Sequence, residues 1–256
     1  MRGFRPLYRK ELFSLFASPI FYVVAFTFLI ISGYFFYSNL AYYNLLSFQA
    51  SQDPFMAKQL NITEMVLRPF FLNLSVVLLL ISPLLTMRLL AEERKSGTLE
   101  LLFTYPISDR AMVLAKFSAV LTAFLIILAG TLPGVIMLGV LSDPNWKAVF
   151  SGYLGIILLG CAFLSLGVFT SSLAQNQIVS AVLAFGALLM FWVIGWVKSF
   201  VGPGSEGLIE YLSLVNHLES FTKGVLDSRD LLYYFLFMLF FLFLTLRQME
   251  SHRWRG

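Results

Sequence analysis

The chain has 256 residues, of which 59% are hydrophobic and only 12% are charged. Its mean hydropathy of +0.81 lies outside the range of soluble domains and indicates a membrane protein. The formal net charge is +4, but no basic cluster with stacking aromatic residues lies outside the apolar runs, so this charge does not indicate nucleic-acid binding. The single cysteine, Cys161, excludes a disulfide framework and a thiolate metal cluster within the chain.

Residues 1–18 are predicted to form an amphipathic helix at the membrane surface. The apolar residues of this segment recur at helical spacing; they are Phe4, Leu7, Tyr8, Leu12, Leu15 and Phe16. The opposite side carries Arg5, Arg9 and Lys10, which suit anionic lipid head groups. Glu11 interrupts the apolar stripe, and we expect it to pair with basic residues of its own helix. A simple membrane anchor fits this pattern as well as a helix that takes part in function.

Residues 19–256 are predicted to form one membrane domain of six spans, because a span needs about 20 mostly apolar residues. The six apolar runs cover about 20–40, 69–90, 111–141, 148–171, 177–198 and 230–247. The third run is long enough to kink, and Pro133-Gly134 is the expected place. None of the runs carries an acidic residue through its centre. This lack of buried acids and histidines argues against transport driven by proton or cation flow.

The distribution of basic residues predicts the orientation, because Lys and Arg are enriched in cytoplasmic loops. With a cytoplasmic N-terminus, the basic residues of the inner segments are Arg2, Arg5, Arg9, Lys10, Arg88, Arg94, Lys95, Arg110, Lys116, Arg247, Arg253 and Arg255. Those of the outer segments are Lys58, Arg68, Lys147, Lys198, Lys223 and Arg229. The asymmetry predicts a multi-pass protein of the bacterial cytoplasmic (inner) membrane, with both termini in the cytoplasm and with 41–66 and 200–229 outside.

Charge is concentrated in one loop, residues 92–106, between the second and third apolar runs. Gly97 is expected to end the incoming helix, because glycine adopts the required backbone turn at the least cost. Glu100 then falls in the first turn of a new helix, where the helix dipole favours an anion, and Pro106 ends that helix. Its apolar side consists of Leu99, Leu101, Leu102 and Phe103. The loop therefore predicts a short amphipathic helix, about 97–105, at the membrane surface, with a plain solvated loop as the alternative.

The segment before the last run contains His217, with Glu210, Glu219, Asp227 and Asp230 around it. These residues lack any recognised spacing of metal ligands, and we expect no metal site or catalytic residue there. We expect instead a short helix that dips into the outer leaflet and has His217 at its polar edge. The apolar face of that helix would comprise Leu208, Ile209, Leu212, Val215 and Leu218.

The charged loop also resembles a family signature. Residues 92–102 read Glu-Glu-Arg-Lys-Ser-Gly-Thr-Leu-Glu-Leu-Leu and are followed by Pro-Ile-Ser at 106–108, which resembles the type-2 ABC exporter permeases. The resemblance is to the branch of the gliding-motility and multicopper-enzyme-maturation permeases. Weaker matches follow in order along nearly the whole chain: Ser18-Pro19-Ile20, Pro83-Leu84-Leu85-Thr86-Met87-Arg88, Tyr153-Leu154-Gly155, Asn176-Gln177-Ile178-Val179, and Lys223-Gly224-Val225 with Asp230.

This resemblance implies an all-helical, six-span permease that pairs with a second copy of itself or with a homologous permease. It would work with two copies of a separate ABC ATPase, and an accessory membrane or periplasmic protein is a further possible partner. Residues 1–18 would be the elbow helix beside the ATPase, 97–105 the coupling helix, and short re-entrant outer helices would precede the last span. The residues expected to couple to the ATPase are Glu92, Glu93, Arg94, Gly97, Thr98, Leu99, Glu100, Leu101, Leu102, Phe103 and Pro106.

ATP and magnesium are expected to bind to the ATPase partner. The chain has no Gly-x-x-x-x-Gly-Lys-Ser/Thr loop to cradle phosphates, and we expect it to bind no cofactor and to have no catalytic role. Two rival functions stay open at this point. One is a transmitter of force or signal across the membrane driven by the same ATPase; the other is a membrane-embedded lipid-modifying enzyme that acts through His217 and the nearby carboxylates. The second leaves the charged loop unexplained.

Overall fold

The computed structural model describes residues 3–50, 60–98, 107–197 and 211–255, and within these ranges the chain is helical and contains no strand. The helices are α1 (Phe4–Ala17), α2 (Pro19–Ala50), α3 (Arg68–Thr86), α4 (Ala91–Lys95), α5 (Asp109–Ala129), α6 (Leu132–Leu141), α7 (Trp146–Leu173), α8 (Gln177–Val197), α9 (Leu214–Thr222) and α10 (Ser228–Arg255). A π-helical turn, Thr63–Leu67, leads into α3.

Six segments are long and apolar enough to cross a membrane, which confirms the predicted number of spans. They are Pro19–Ala50, Thr63–Lys95, Asp109–Leu141, Trp146–Leu173, Gln177–Gly195 and Ser228–Ser251. Two helices extend well past the predicted runs: α2 continues to Ala50 and α10 to Arg255. The sequence from 41 to 50 contains neither glycine nor proline, so nothing ends the helix where the run of apolar residues stops.

The third span is broken just before Pro133-Gly134, the place where a kink was expected. Helix α5 ends at Ala129, residues Gly130 and Thr131 form the break, and α6 begins at Leu132. Pro133 is at the start of α6, where a missing N–H group costs little because helix starts leave these donors unpaired. The hydroxyl of Thr131 lies 2.9 Å from that of Tyr153 on α7, which holds the break against the neighbouring helix.

Helix α7 is at the centre of the bundle and packs against α3, α5, α8, α9 and α10. All four of its glycines permit very close approach of neighbouring side chains, and two of them illustrate this. A methyl group at Gly155 would lie 2.7 Å from Cβ of Phe221 on α9, and one at Gly167 would lie 2.2 Å from the hydroxyl oxygen of Thr86 on α3. The largest fully buried aromatic side chains of the bundle include Phe28, Phe70, Phe71, Phe124, Phe163, Phe221 and Tyr234. Helices α2 and α8 are the least buried spans, so lipid or another apolar surface can cover them.

Two hydrogen-bonded contacts mark the opposite ends of α7. Near its start, Ser151 donates a hydrogen bond to the carbonyl of Phe221 in α9. Near its end, Ser171 contacts the backbone that leads into α4. At about 1.5 Å per residue the two serines are roughly 30 Å apart, which is about the thickness of the hydrocarbon core of a bilayer. The contacts at the two ends of α7 are therefore about as far apart as the two surfaces of the hydrocarbon core.

Candidate coupling site

Four charged side chains from three helices meet at one end of the bundle: Lys10, Glu11, Glu93 and Lys116, here called the elbow cluster. Lys116 Nζ lies 3.0 Å from Glu11 Oε1 and 2.8 Å from Glu93 Oε2. Lys10 Nζ lies 3.2 Å from Glu11 Oε1 and 2.9 Å from Glu93 Oε1. Lys116 also donates to the carbonyl of Leu89 over 2.6 Å. The two ammonium groups and two carboxylates thus form a closed ring that joins α1, α4 and α5.

The elbow cluster is buried except for one member. The Lys116 side chain has no exposed surface, whereas that of Lys10 is 56% exposed. Burial by itself lowers the pKa of Lys10, but its hydrogen bond to Glu93 and the charges of Glu11 and Glu93 outweigh that effect and raise it. The four formal charges cancel, which is the condition under which ionised groups remain stable away from water.

The helical periodicity explains why these charges are buried. Glu11 lies four residues after Leu7 and four before Leu15, and both leucines are buried. Residues four apart share one face of a helix, so Glu11 must point inward. Lys116 lies in the same way between Met112 and Val120, which are also buried. The expectation that Glu11 pairs within its own helix is therefore incomplete, since it binds Lys116 on α5 as well as Lys10.

The start of the charged loop is tied to the neighbouring helices through arginine. Arg88 donates from Nη1 to the hydroxyl of Ser18, at the entrance to α2, and from Nε to Glu92 over 3.0 Å. Arg94 donates to the carbonyl of Ser172 at the end of α7 over 2.6 Å. Helix α4 ends at Lys95 and Gly97 follows with φ +70°, a conformation that favours glycine.

Helix α4 is also capped by the central helix. The Ser171 hydroxyl accepts hydrogen bonds from the backbone N–H groups of Leu90 and Ala91 over 3.0 and 3.1 Å, and it donates to the carbonyl of Met87 over 3.2 Å. These donors belong to the start of a helix, where backbone N–H groups lack partners within the helix. The short helix at the start of the charged loop is thereby attached to α7 by its first residues and, through Arg94, near its last residue.

The structure brings together only part of the predicted coupling residues. Lys10, Glu11 and Glu93 form the elbow cluster, and the Glu92 and Arg94 contacts lie beside it. The other predicted residues with a described position, Arg5, Arg9, Gly97 and Thr98, are exposed. Leu99, Glu100, Leu101, Leu102, Phe103 and Pro106 lie outside the described residues, so the coupling helix stays a prediction.

The sequence reasoning missed the contacts that three residues make: Lys116, Arg88 and Ser171. In the sequence analysis Lys116 is one of the inner basic residues. Its position four residues from both Met112 and Val120, on one apolar face of a helix, is nevertheless a signal of a buried cation. The i,i+4 spacing of Arg88 and Glu92 is visible in the sequence, whereas the contacts of Arg88 with Ser18 and of Ser171 with Leu90 carry no such signal, since these partners are distant in the sequence.

A cleft of about 800 Å³ opens beside the elbow cluster. Its lining combines the charged Lys10, Arg88 and Glu92 with Phe13, whose side chain is exposed, and with Gln177 at the start of α8. A mixed polar and apolar surface of this kind suits contact with another protein.

At the other end of the bundle, the predicted position of His217 at the polar edge of its helix is wrong. His217 is buried, because it lies on the same face of α9 as Leu214, Leu218 and Phe221, all of which are buried. Of the predicted apolar face, Leu218 is buried and Leu212 is exposed, as a residue in contact with lipid would be; Leu208 and Ile209 lie outside the described residues. The expectation that the chain buries no acids or histidines is also wrong, since Glu11, Glu93, Asp230 and His217 are all buried. Among the described residues, no group of three or more His, Cys, Asp or Glu side chains is arranged to hold a metal ion.

Comparison with known families agrees with this architecture. Residues 5–222 match the family model described as "ABC-2 family transporter protein". The chain belongs to this family. It is accordingly a multi-pass membrane permease subunit, and membrane subunits of the family are generally non-catalytic and generally partner with an ABC ATPase. A comparison with curated proteins gives no match.

Proposed function

We propose that this permease is the membrane subunit of an ABC exporter and that the elbow cluster carries movement from a separate ATPase into the spans. In this proposal two permease chains, identical or homologous, assemble with two ATPase subunits in the cytoplasmic membrane of a bacterium. Both termini and the charged loop face the cytoplasm. The ATPase binds ATP and magnesium, and the permease binds neither.

The elbow cluster is the observation that carries this proposal. Lys116 of α5 binds Glu11 of α1 and Glu93 of α4 at the same time, over 3.0 and 2.8 Å. A force applied to the charged loop after α4 would therefore reach the elbow helix and the third span together. Charge-assisted contacts of this kind are short and directional, so they transmit displacement better than apolar surfaces, which can slide.

The attachment of α4 to α7 supplies the second part of the path. Ser171 holds the first N–H groups of α4, and Arg94 holds the carbonyl of Ser172. Displacement of the charged loop would thereby move the end of the central helix. Because α7 packs against four other spans, this contact spreads the movement through the bundle.

The experiment tests the charged loop itself. In the complex purified from native membranes by a tag on the permease, the parent chain should retain an ABC ATPase. Replacing Leu101 and Leu102 together by Asp should abolish this retention, because one unpaired carboxylate in an apolar contact costs several kcal/mol. Gly97→Pro should also weaken it, since proline cannot adopt a positive φ.

The matched control is Lys95→Gln. Lys95 is an exposed residue of α4, and its replacement should leave ATPase retention unchanged. The amount of each variant in the membrane is measured in parallel to separate misfolding from loss of contact. If the double Asp variant is present at parental levels and still retains the ATPase and ATP-dependent function, the coupling role is refuted.

A further inference from the structure

The cleft beside the elbow cluster continues into a second opening whose walls are almost entirely apolar. The cleft itself contains charged side chains of α1 and α4. The second opening is a crevice between the corner of α1 and α2 and the end of α3, and its apolar walls include Leu15, Phe21, Val24, Leu84 and Leu85. Ser18, Ile20 and Arg88 line both openings and therefore mark the boundary between them.

Both openings lie where apolar spans begin or end. The spans Pro19–Ala50 and Gln177–Gly195 start at residues that line the cleft. Lipid head groups lie at the ends of spans and acyl chains lie beside their apolar parts, so the cleft is level with head groups and the crevice with the chains. Ile20 and Leu84, which are 41% and 39% exposed, form the mouth of the crevice on the lipid side.

The two cations of the cleft retain hydrogen-bond donors. Arg88 donates from Nε to Glu92 and from Nη1 to Ser18, and a guanidinium group has five N–H donors. Lys10 donates to Glu11 and Glu93, which leaves one of the three donors of its ammonium group. Oxygen atoms of a phosphate group are the acceptors that arginine and lysine bind most strongly. The cleft is therefore suited to a phosphate group.

The cleft also contains an acidic group that can accept a further donor. Glu92 accepts from Arg88 through Oε2 only, over 3.0 Å, and its side chain is 46% exposed. A head group with negative charge alone would be repelled by this carboxylate. A head group that also carries an ammonium group would place opposite charges together at both positions. The charges of the cleft thus favour a zwitterionic head group over an anionic one.

We propose that the cleft and the crevice bind one zwitterionic phospholipid with a primary ammonium group, of the kind represented by phosphatidylethanolamine. Its phosphate contacts Arg88 and Lys10, and its ammonium donates to Glu92, which a quaternary ammonium cannot do because it has no N–H group. The open space of the crevice is only about 10 Å³, about that of one water molecule. One acyl chain therefore lies along the mouth of the crevice, between Ile20 and Leu84.

The crevice favours a lipid over a protein as the occupant. It opens between the spans, toward the least buried side of the bundle, where α2 faces outward. A partner protein in the water phase reaches the cleft but not the apolar mouth of the crevice. The inference requires only that the six apolar helices span a bilayer, and it does not depend on the proposed coupling to an ATPase.

The test measures lipid binding to the permease by native mass spectrometry. The full chain, with the subunits that accompany it on purification, is stripped of loosely bound lipid in detergent and titrated with one phospholipid at a time. Phosphatidylethanolamine, phosphatidylcholine and phosphatidylglycerol with identical acyl chains are compared. The first molecule of phosphatidylethanolamine should bind roughly tenfold more tightly than either of the others, because it alone makes the charged hydrogen bond to Glu92.

Glu92→Gln tests the head group. The variant should lose the preference for phosphatidylethanolamine, and its relative affinity for phosphatidylglycerol should rise, because Arg88 is then no longer balanced by a carboxylate. The matched control is Glu250→Gln. Glu250 is also an exposed carboxylate, 42% for the side chain, that binds an arginine of its own helix, Arg247, but it does not line the cleft. This variant should keep the parental preference.

Leu84→Trp tests the acyl chain. The larger side chain would cover the mouth of the crevice and should weaken the binding of all three phospholipids. Leu80→Trp is the matched control, since Leu80 lies one turn earlier in α3, is 52% exposed and lines neither opening. Glycerophosphoethanolamine, which is the head group without acyl chains, should not displace the lipid at equal concentration, because the burial of the chain contributes to binding.

Four outcomes overturn the proposal. Equal affinities for the three phospholipids, or an unchanged preference in Glu92→Gln, would show that the cleft does not select the head group. Equal effects of Leu84→Trp and Leu80→Trp would show that the crevice binds no chain. Displacement by glycerophosphoethanolamine would reduce the site to one for a soluble phosphate ester. If Glu92→Gln and Leu84→Trp leave lipid binding unchanged but lower the amount of a co-purified subunit, the cleft is a protein contact instead.

Discussion

Replacing Lys116 by Met tests the elbow cluster at its most buried member. Methionine fills a similar volume, so the change removes the charge while leaving little cavity. The two carboxylates of Glu11 and Glu93 would then share only the ammonium of Lys10, which lies at the exposed edge of the ring. Both carboxylates would keep one partner each in place of two, in a site from which most water is excluded.

The expected loss of stability follows from burial. Removing one partner of a buried ion pair costs about 3–5 kcal/mol, and the remaining contact with Lys10 favours the lower figure of about 3 kcal/mol. Lys10→Met removes the half-exposed partner instead, and exposed pairs contribute about 1 kcal/mol or less. For a chain of this length, about 3 kcal/mol corresponds to a decrease in Tm of roughly 6 to 12 °C.

The assay is thermal unfolding of the purified permease in nanodiscs. Lys116→Met should lower Tm at least twice as far as Lys10→Met. The triple variant that combines Lys116→Met with Glu11→Gln and Glu93→Gln should recover most of the loss, because it leaves no buried charge unpaired. Equal decreases for Lys116→Met and Lys10→Met, or a triple variant less stable than Lys116→Met, would refute the energetic account of the cluster.

Three further predictions follow from other contacts. Gly155→Ala should destabilise the bundle by about 1–3 kcal/mol through overpacking, whereas Gly186→Ala, where a methyl group would meet nothing within 4 Å, should be neutral or slightly stabilising; Tm values of the two variants check this. In intact cells, an impermeant thiol reagent should label Cys placed at Val225 and spare Cys placed at Ser96, and labelling at Ser96 would reverse the proposed orientation. Because the pKa of Lys10 is raised above its ordinary value of 10.5, the stability that this residue contributes should be complete below that pH and decline as the pH rises through the raised pKa. The Tm difference between the parent and Lys10→Met should accordingly be constant near neutral pH and shrink only at strongly alkaline pH.

The sequence predicted the spans well because apolar runs report directly on the bilayer. It also predicted the break in the third span, since proline inside a long run leaves few alternatives, and the positive φ of Gly97. It could not predict where α2 ends, because hydropathy reports the thickness of the membrane, while a helix can continue past the apolar run until residues such as glycine or proline interrupt it.

The sequence-based prediction missed more about the buried charged residues than about the ends of the helices. The ring of the elbow cluster joins residues 105 positions apart in sequence, Glu11 and Lys116, and only tertiary packing brings them together. The helical spacing that buries Glu11 was visible beforehand, because the residue interrupts an apolar stripe. For His217 the register of α9 was assigned from Leu212 and Val215, whereas the buried face is set by Leu214, Leu218 and Phe221. Leu218 belongs to both faces, but the helix begins only at Leu214, after the extended residue Ser213, so the spacing of residues 208–212 does not set the face of α9.

The uninterrupted course of α7 determines where the bundle can bend. This helix contains no proline from Trp146 to Leu173, and a continuous ladder of backbone hydrogen bonds resists sharp bending. Its neighbours are less stiff, since α3 contains Pro83 and begins with a π-helical turn, and the third span is broken at Gly130 and Thr131. Helix α7 is therefore the stiff element of the bundle, and the interrupted helices around it are the ones that can bend. We therefore expect a displacement applied at Ser171 to be transmitted along α7 to Ser151, and we expect the accompanying deformation at Pro83 and at the α5–α6 break.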